Sequence, residues 1–205
     1  MQVYDRMTVI DGFYQNPDYV REVALKQNYL DCTQLSGTWP GIRADKMLQE
    51  IDSNITQEFF QRIGRTLVSG QARFESTIET TFQLCYESHG DSWVHYDVGE
   101  ITHVGLIYLN PNPPKNSGTL IYDIKPGMME ELKNYHDKNG LAKLNRNDEK
   151  ELYEKFFEVV LEVPNRYNRM VMYGPQMMHK SDTYFGNSYE TGRLTQPFFG
   201  NIKIH

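Results

Sequence analysis

Two side chains in Trp93-Val94-His95-Tyr96-Asp97 pair an imidazole with a carboxylate at a spacing of two. On an extended chain, residues i and i+2 project to the same side, so His95 and Asp97 aim at one point. Nitrogen and carboxylate oxygen together suit a borderline metal ion, but two ligands do not hold a catalytic one. A third must come from elsewhere. The other histidines are His89, His103, His136, His179 and His205. His136 lies in a charged helical stretch and reads as a solvated surface residue. His205 is terminal, His89 sits in the turn ESHGDS, and His103 begins a strand. His179 follows the strand and turn RMVMYGPQMM and precedes a polar loop, which makes it the best third ligand.

Two neutral imidazoles and one carboxylate on one face of an ion form the facial triad of non-haem Fe(II) sites, which keep open positions for other ligands. Arg193, in GRLTQPFFGN, supplies a second signal. Its neighbours Leu194, Pro197, Phe198 and Phe199 argue for a buried strand. An arginine buried there can hold a distal carboxylate through two parallel charge-assisted hydrogen bonds. Thr195, two residues on, faces the same way and can add a hydroxyl.

Elements must position these groups. The chain has 205 residues, a length that one domain can fill. At residues 1–70, TVIDGF reads as a strand, and Asn16-Pro17-Asp18 opens a helix running to about Gln27. LSGTWPGIRAD reads as a loop. Met47, Leu48, Ile51, Ile55, Phe59, Ile63 and Leu67 then recur at helical spacing, with Asn54 and Gln57 as a capping box that splits two helices. Beyond residue 72, ARFESTIETTFQLCYES, THVGLIYLN, GTLIYDI, RMVMYG and RLTQPFFGNI are short β-rich segments between turns, the pattern of an antiparallel core. GMMEELKNYHDKNG and NDEKELYEKFFEVV read as two helices inserted at about 127–160. The expected fold is mainly β, α+β by content: a jelly roll, or double-stranded β-helix, with the N-terminal helices on one sheet. Residues 1–205 form one domain in this reading, 1–70 supporting the core at 72–205.

Lysine and arginine number 21 against 27 acidic residues, a net charge of −6. That disfavours a generic role on nucleic acid or anionic membrane. Two cysteines without a CxxC pair, and no signal-peptide pattern or long apolar run, point to a reducing cytoplasm.

Residues 82–202 resemble the Fe(II)/2-oxoglutarate-dependent dioxygenases, nearest to the prolyl-4-hydroxylase-like branch with its small bacterial and phage members. The matching stretches are CYESHGDSWVHYD, GLIYLN, SGTLIYD, NRMVMYGPQMMHKSD and GRLTQPFF, and the opening VIDGFYQNPDYVREVAL is similar to the start of many such proteins. The resemblance implies that His95, Asp97 and His179 bind Fe(II) and that Arg193 pairs with the far carboxylate of 2-oxoglutarate. It places Tyr108 against that carboxylate, makes Thr195 and Tyr86 further contacts to the co-substrate, and sets Trp93 and Tyr96 at the substrate mouth. Dioxygen is the third reactant. The stretch SDTYFGNSYETG is longer than usual before the basic anchor and predicts a loop over the site, with Lys180 the weaker anchor candidate. A carboxylate at Asp97 favours hydroxylation over halogenation, with a protein side chain or small molecule as substrate. Two alternatives stay open: a cupin-like metal-binding jelly roll that does not use 2-oxoglutarate, and a non-catalytic module of the same fold. The substrate and the oligomeric state are not legible.

Overall fold

The computed structural model describes residues 7–35, 39–67, 74–97, 99–139 and 154–204. Strand β1 (Met7–Ile10) leads into helix α1 (Pro17–Leu25). The side chain of Asn16 caps α1 by accepting from the Tyr19 amide, as the Asn-Pro-Asp signal predicts. Strands β2 (Tyr29–Asp31) and β3 (Ile42–Ala44) follow, then helices α2 (Leu48–Ile51) and α3 (Ser53–Leu67). The helical stretch does split in two, but the cap is Asp52 rather than Asn54. Asp52 Oδ1 accepts from the amides of Asn54 and Ile55 at 2.8 and 2.9 Å. A carboxylate two residues earlier meets two free amides and the positive helix end at once.

The remaining elements are β4 (Phe74–Thr80), β5 (Gln83–Cys85), a short 3-10 turn at Glu87–His89, β6 (His103–Tyr108), β7 (Thr119–Ile124), α4 (Met129–Asn139), β8 (Phe157–Val163), β9 (Met170–Tyr173), β10 (Met178–Ser181) and β11 (Arg193–Ile204). An antiparallel large sheet runs β1-β9-β6-β11-β5-β3-β2, with β4 also on β11, and a small sheet runs β10-β7-β8. This mainly β, antiparallel architecture is the expected jelly-roll class.

Two expectations need correction. Phe157–Val163 is a strand, not the end of a second inserted helix; only residues 154–156 are helical ahead of it. The stretch FFEVVLEV fits either period locally, and its long antiparallel ladder with β7 decides. The rest of that expected helix, 147–153, lies outside the described residues. The segment LSGTWPGIRAD is also not all loop: Ile42–Ala44 pairs with both β2 and β5.

The large sheet has two apolar faces. One packs on α1 and α3, with Phe13, Phe59, Ile63, Phe82, Leu84 and Phe198 buried there. The other meets the small sheet through Val104, Tyr108, Ile121, Val163, Val171 and Tyr173. Strand β11 serves both faces by strict alternation: Leu194 and Phe198 enter the helix-side core, while Arg193, Thr195, Pro197 and Phe199 line a cavity on the other side. Pro197 is tolerated here because β11 changes partner at that point, from β5 (ending at Thr195) to β4 (starting at Phe198).

Candidate metal and co-substrate site

The cavity between the sheets encloses about 530 Å³. His95, Asp97, His179, Arg193 and Thr195 all line it. Residues on three separate chain segments therefore converge, as their types require.

His179 stands on β10, whose ladder with β7 pairs it with Ile121. His95 is not on a strand. The chain around it is irregular except for one bridge, in which the His95 amide donates to the His179 carbonyl (3.0 Å) and the His179 amide to the His95 carbonyl (2.8 Å). The Asp97 amide donates to the Pro175 carbonyl at 2.9 Å. The single bridge brings the two imidazoles together, with ring centroids 4.4 Å apart.

Ligand atoms of His95, Asp97 and His179 lie within 4.8 Å of one another. Each imidazole faces a backbone carbonyl through Nδ1: His95 to Trp93 (3.0 Å) and His179 to Met177 (2.8 Å). A carbonyl only accepts, so each Nδ1 carries the proton and each Nε2 keeps its lone pair for the centre of the cluster. Burial, reinforced by the nearby His95, pushes the His179 pKa down to about 3, so this ring is a neutral ligand at ordinary pH. Asp97 is held above the usual carboxylate range by burial, against the opposing pull of His95 and Arg43. Its Oδ2 is buried without a hydrogen-bond donor and lies 3.6 Å from His179 Nε2. A lone pair thus faces a carboxylate oxygen with no proton between them. A cation resolves that arrangement, and the donor set of two nitrogens and one carboxylate fits Fe(II). Trp93 and Tyr173 pack on the imidazoles, at 5.8 Å from His95 and 4.7 Å from His179.

Arg193 is 2 % exposed and forms no ion pair among the described residues. Its Nε donates to Ser117 O (3.0 Å) and its Nη2 to Gly118 O (3.3 Å). The guanidinium lies 5.5 Å from the Tyr108 ring and interacts with its hydroxyl. A guanidinium has five N–H donors, so at least two remain for another acceptor. Asn110 fixes this end of β11: its Oδ1 accepts from the Leu194 amide (2.8 Å) and its Nδ2 donates to Gly192 O (2.7 Å).

Tyr108 does not line the cavity. It sits beside Arg193, its hydroxyl 2.6 Å from Thr119 Oγ1, and Thr119 does line the cavity. Tyr86 is also off the cavity; it stacks on His89 at 5.1 Å and packs against the helix-side core. Trp93 and Tyr96 line the cavity, and Lys180 does not. The segment after β10 does not lie wholly over the site. Ser181 and Tyr184 face the cavity, while Tyr189 packs on Tyr29 at 5.3 Å and Arg21 donates to Glu190 O at 2.6 Å. His89 is taken up by the Tyr86 amide, and His103 by Thr102. The side chain of His136 and all of His205 lie outside the described residues.

Sequence reasoning missed Trp39, Arg43, Gln83 and Tyr173, all on the cavity wall. An arginine between Ile42 and Ala44, next to Trp-Pro-Gly, was the available signal.

Solved structures of 2-oxoglutarate-dependent enzymes share this fold. HygX from Streptomyces hygroscopicus, solved with nickel and 2-oxoglutarate bound, matches with a TM-score of 0.56 at 12% identity, over 95% of this chain and 82% of that one. An oxidoreductase of the 2OG-Fe(II) oxygenase family from Burkholderia pseudomallei matches at 0.56 and 9%, over 96% and 84%. SnoN, a non-heme alpha ketoglutarate dependent epimerase from nogalamycin biosynthesis, matches at 0.52 and 13%, over 97% and 80%. At these identities the likeness is one of fold. No curated protein sequence matches the chain. Its sequence does match a family profile along nearly its whole length, residues 2–199, and the chain belongs to that family, described as a family of unknown function (DUF6445).

Proposed function

We propose that this chain is an Fe(II)- and 2-oxoglutarate-dependent oxygenase that hydroxylates a protein side chain or a small molecule. The observation that carries this reading is the pairing, in one cavity, of a donor-less buried carboxylate among two carbonyl-anchored imidazoles with a buried arginine that has no acidic partner among the described residues. The first asks for a cation and the second for a carboxylate. The neighbours with bound metal and 2-oxoglutarate support it at the level of fold.

With Fe(II) and 2-oxoglutarate bound, the site would couple their chemistry with dioxygen so that a substrate C–H becomes C–OH while the co-substrate leaves as succinate and carbon dioxide. The protein supplies the rest. His95 and His179 present Nε2 lone pairs because their Nδ1 protons are spent on carbonyls. Asp97 contributes the negative charge. Arg193 holds the distal carboxylate of the co-substrate through its unused donors, and Thr195 adds a hydroxyl from the same face of β11. Tyr108 shares a hydrogen bond with Thr119 through its hydroxyl and stands beside the Arg193 guanidinium, so it orients that group rather than touching the co-substrate. Trp93 and Tyr173 exclude water from the imidazoles.

Anaerobic titration tests this. Fe(II) should bind one per chain, and 2-oxoglutarate should then bind and, on admission of air, give succinate. A wild-type chain that binds Fe(II) but neither binds nor turns over 2-oxoglutarate would refute the reading in favour of a cupin-like metal protein.

A further inference from the structure

The cavity has a second arginine. Arg43, on β3, reaches the wall that carries Phe199, whereas Arg193 lies at the Tyr108 end of the same strand. Arg193 and Phe199 are six residues apart on β11, roughly 20 Å of extended chain. The ladder sets Arg43 level with Thr195 through Gln83, two strands over from β11; from there its guanidinium turns toward Phe199, while that of Arg193 turns toward Tyr108.

Arg43 is held in place without a counter-ion. Its guanidinium lies 4.0 Å from the Trp39 ring centroid and 5.5 Å from that of Phe199. Its Nε donates to Gln83 Oε1 at 3.1 Å, and Gln83 is itself fixed by donating to Pro40 O at 2.8 Å. Gly41 lets this segment press on β5: at φ +78°, a Cβ there would come within 2.3 Å of Leu84 O. Among the described residues no carboxylate comes within ion-pairing distance of Arg43, and its Nη atoms make no hydrogen bond. Burial pulls its pKa down to about 10, so it remains charged at neutral pH although desolvated. Trp39 Nε1, on the same wall, is buried with no acceptor among the described residues. A fixed, unpaired guanidinium fork thus stands beside an orphaned indole N–H. Among the described residues the Arg43 Nη groups and the indole N–H have no acceptor, and each unpaired buried donor is costly unless a ligand satisfies it.

Resting on the oxygenase reading, the geometry points to Arg43 and Trp39 as the recognition site for a carboxylate on the primary substrate. One cation plus one neutral N–H matches a singly charged carboxylate; a phosphate dianion calls for more positive charge. Arg193 is reserved for the co-substrate. Arg43 and Asp97 line the same cavity, so an acid held by Arg43 lies in the chamber of the candidate metal ligands.

The test uses isothermal titration of the metal-loaded protein with 2-oxoglutarate, without oxygen. The probes are the free and N-acetylated L-amino acids, each against its matched carboxamide. At least one acid should bind about tenfold or more tightly than its amide, a preference that falls below about threefold in Arg43→Gln. Trp39→Phe, which keeps the ring and loses the N–H, should weaken that acid about fivefold. The affinity for 2-oxoglutarate should stay within about threefold of wild type in Arg43→Gln while falling tenfold or more in Arg193→Gln. Arg43→Lys, which keeps the charge and loses the fork, replaces Arg43→Gln if the latter does not give a wild-type melting profile. The inference is overturned if no acid is preferred to its amide, if the preference survives in the Arg43 variant, or if that variant loses 2-oxoglutarate as Arg193→Gln does. A wild-type chain that does not take up 2-oxoglutarate sinks the oxygenase reading instead, and the acid–amide preference is then read on the metal-loaded protein alone.

Discussion

The two halves of the site are built differently. Arg193 and Thr195 stand on β11, Arg193 paired with β5 and Thr195 with both β5 and β6. Asn110 locks the strand at Leu194, and two carbonyls grip the guanidinium. His95 and Asp97 stand on an irregular segment held by one bridge to His179 and one hydrogen bond from the Asp97 amide to the Pro175 carbonyl. The half proposed to bind an anion is therefore pre-formed. The half proposed to bind metal holds a buried carboxylate beside a lone pair, an arrangement that a cation would complete. Rigid ladders suit recognition of a constant co-substrate group. A loosely tethered segment can adjust its ligands around an ion and remain open to substrate.

Substitutions can break this contrast. The largest effect belongs to Asp97→Ala, which should weaken Fe(II) binding by about 100-fold or more, read by anaerobic titration, because the charge and one of three ligands are lost together. Arg193→Gln should leave that metal affinity within about threefold yet lower the affinity for 2-oxoglutarate about tenfold or more, some 1.4 kcal/mol. Equal damage to metal binding from both variants would show that the halves are not separable.

Hydrogen exchange sharpens the comparison. In metal-free protein the amides of His95 and Asp97 should exchange about tenfold faster than that of Leu194, and added Fe(II) should slow the first two while leaving the third unchanged. Uniform protection before metal is added would mean that the segment is as rigid as β11. A smaller effect is expected for Tyr108→Phe. Losing the hydroxyl that orients Arg193 should cost about threefold in 2-oxoglutarate affinity with metal binding intact. Asp52→Ala, which uncaps α3 behind the helix-side core, should lower stability by about 1 kcal/mol in denaturant titration and spare both halves.

The same contrast explains what was legible beforehand. The ligand set could be read because its chemistry is local: His-x-Asp is a two-residue spacing, and Arg193 is flanked by apolar residues that announce a strand. The wall opposite could not. Ile42–Ala44 is only three residues long and sits behind Trp-Pro-Gly, which is turn vocabulary, and it becomes a strand by pairing with β5 across the fold. The resemblance places Tyr108 at the co-substrate; the register of β6 against β11 sets it beside Thr195 on the same face, with its hydroxyl taken by Thr119 and its ring beside the Arg193 guanidinium. Tyr86, a co-substrate contact by the same resemblance, instead stacks on His89 and packs on the helix-side core.

By itself, the order of residues determined the antiparallel β character, the helical N-terminal support and the identity of three groups suited to one cation, because alternation, capping and ligand chemistry are written within a few neighbouring positions. Only the tertiary structure decided that His95 meets His179 through a single bridge, that FFEVV is strand rather than helix, and that Arg43 shares a cavity with Arg193. Those facts depend on which distant segments pair, and pairing is settled by burial and backbone hydrogen bonding over the whole chain rather than by any stretch of it.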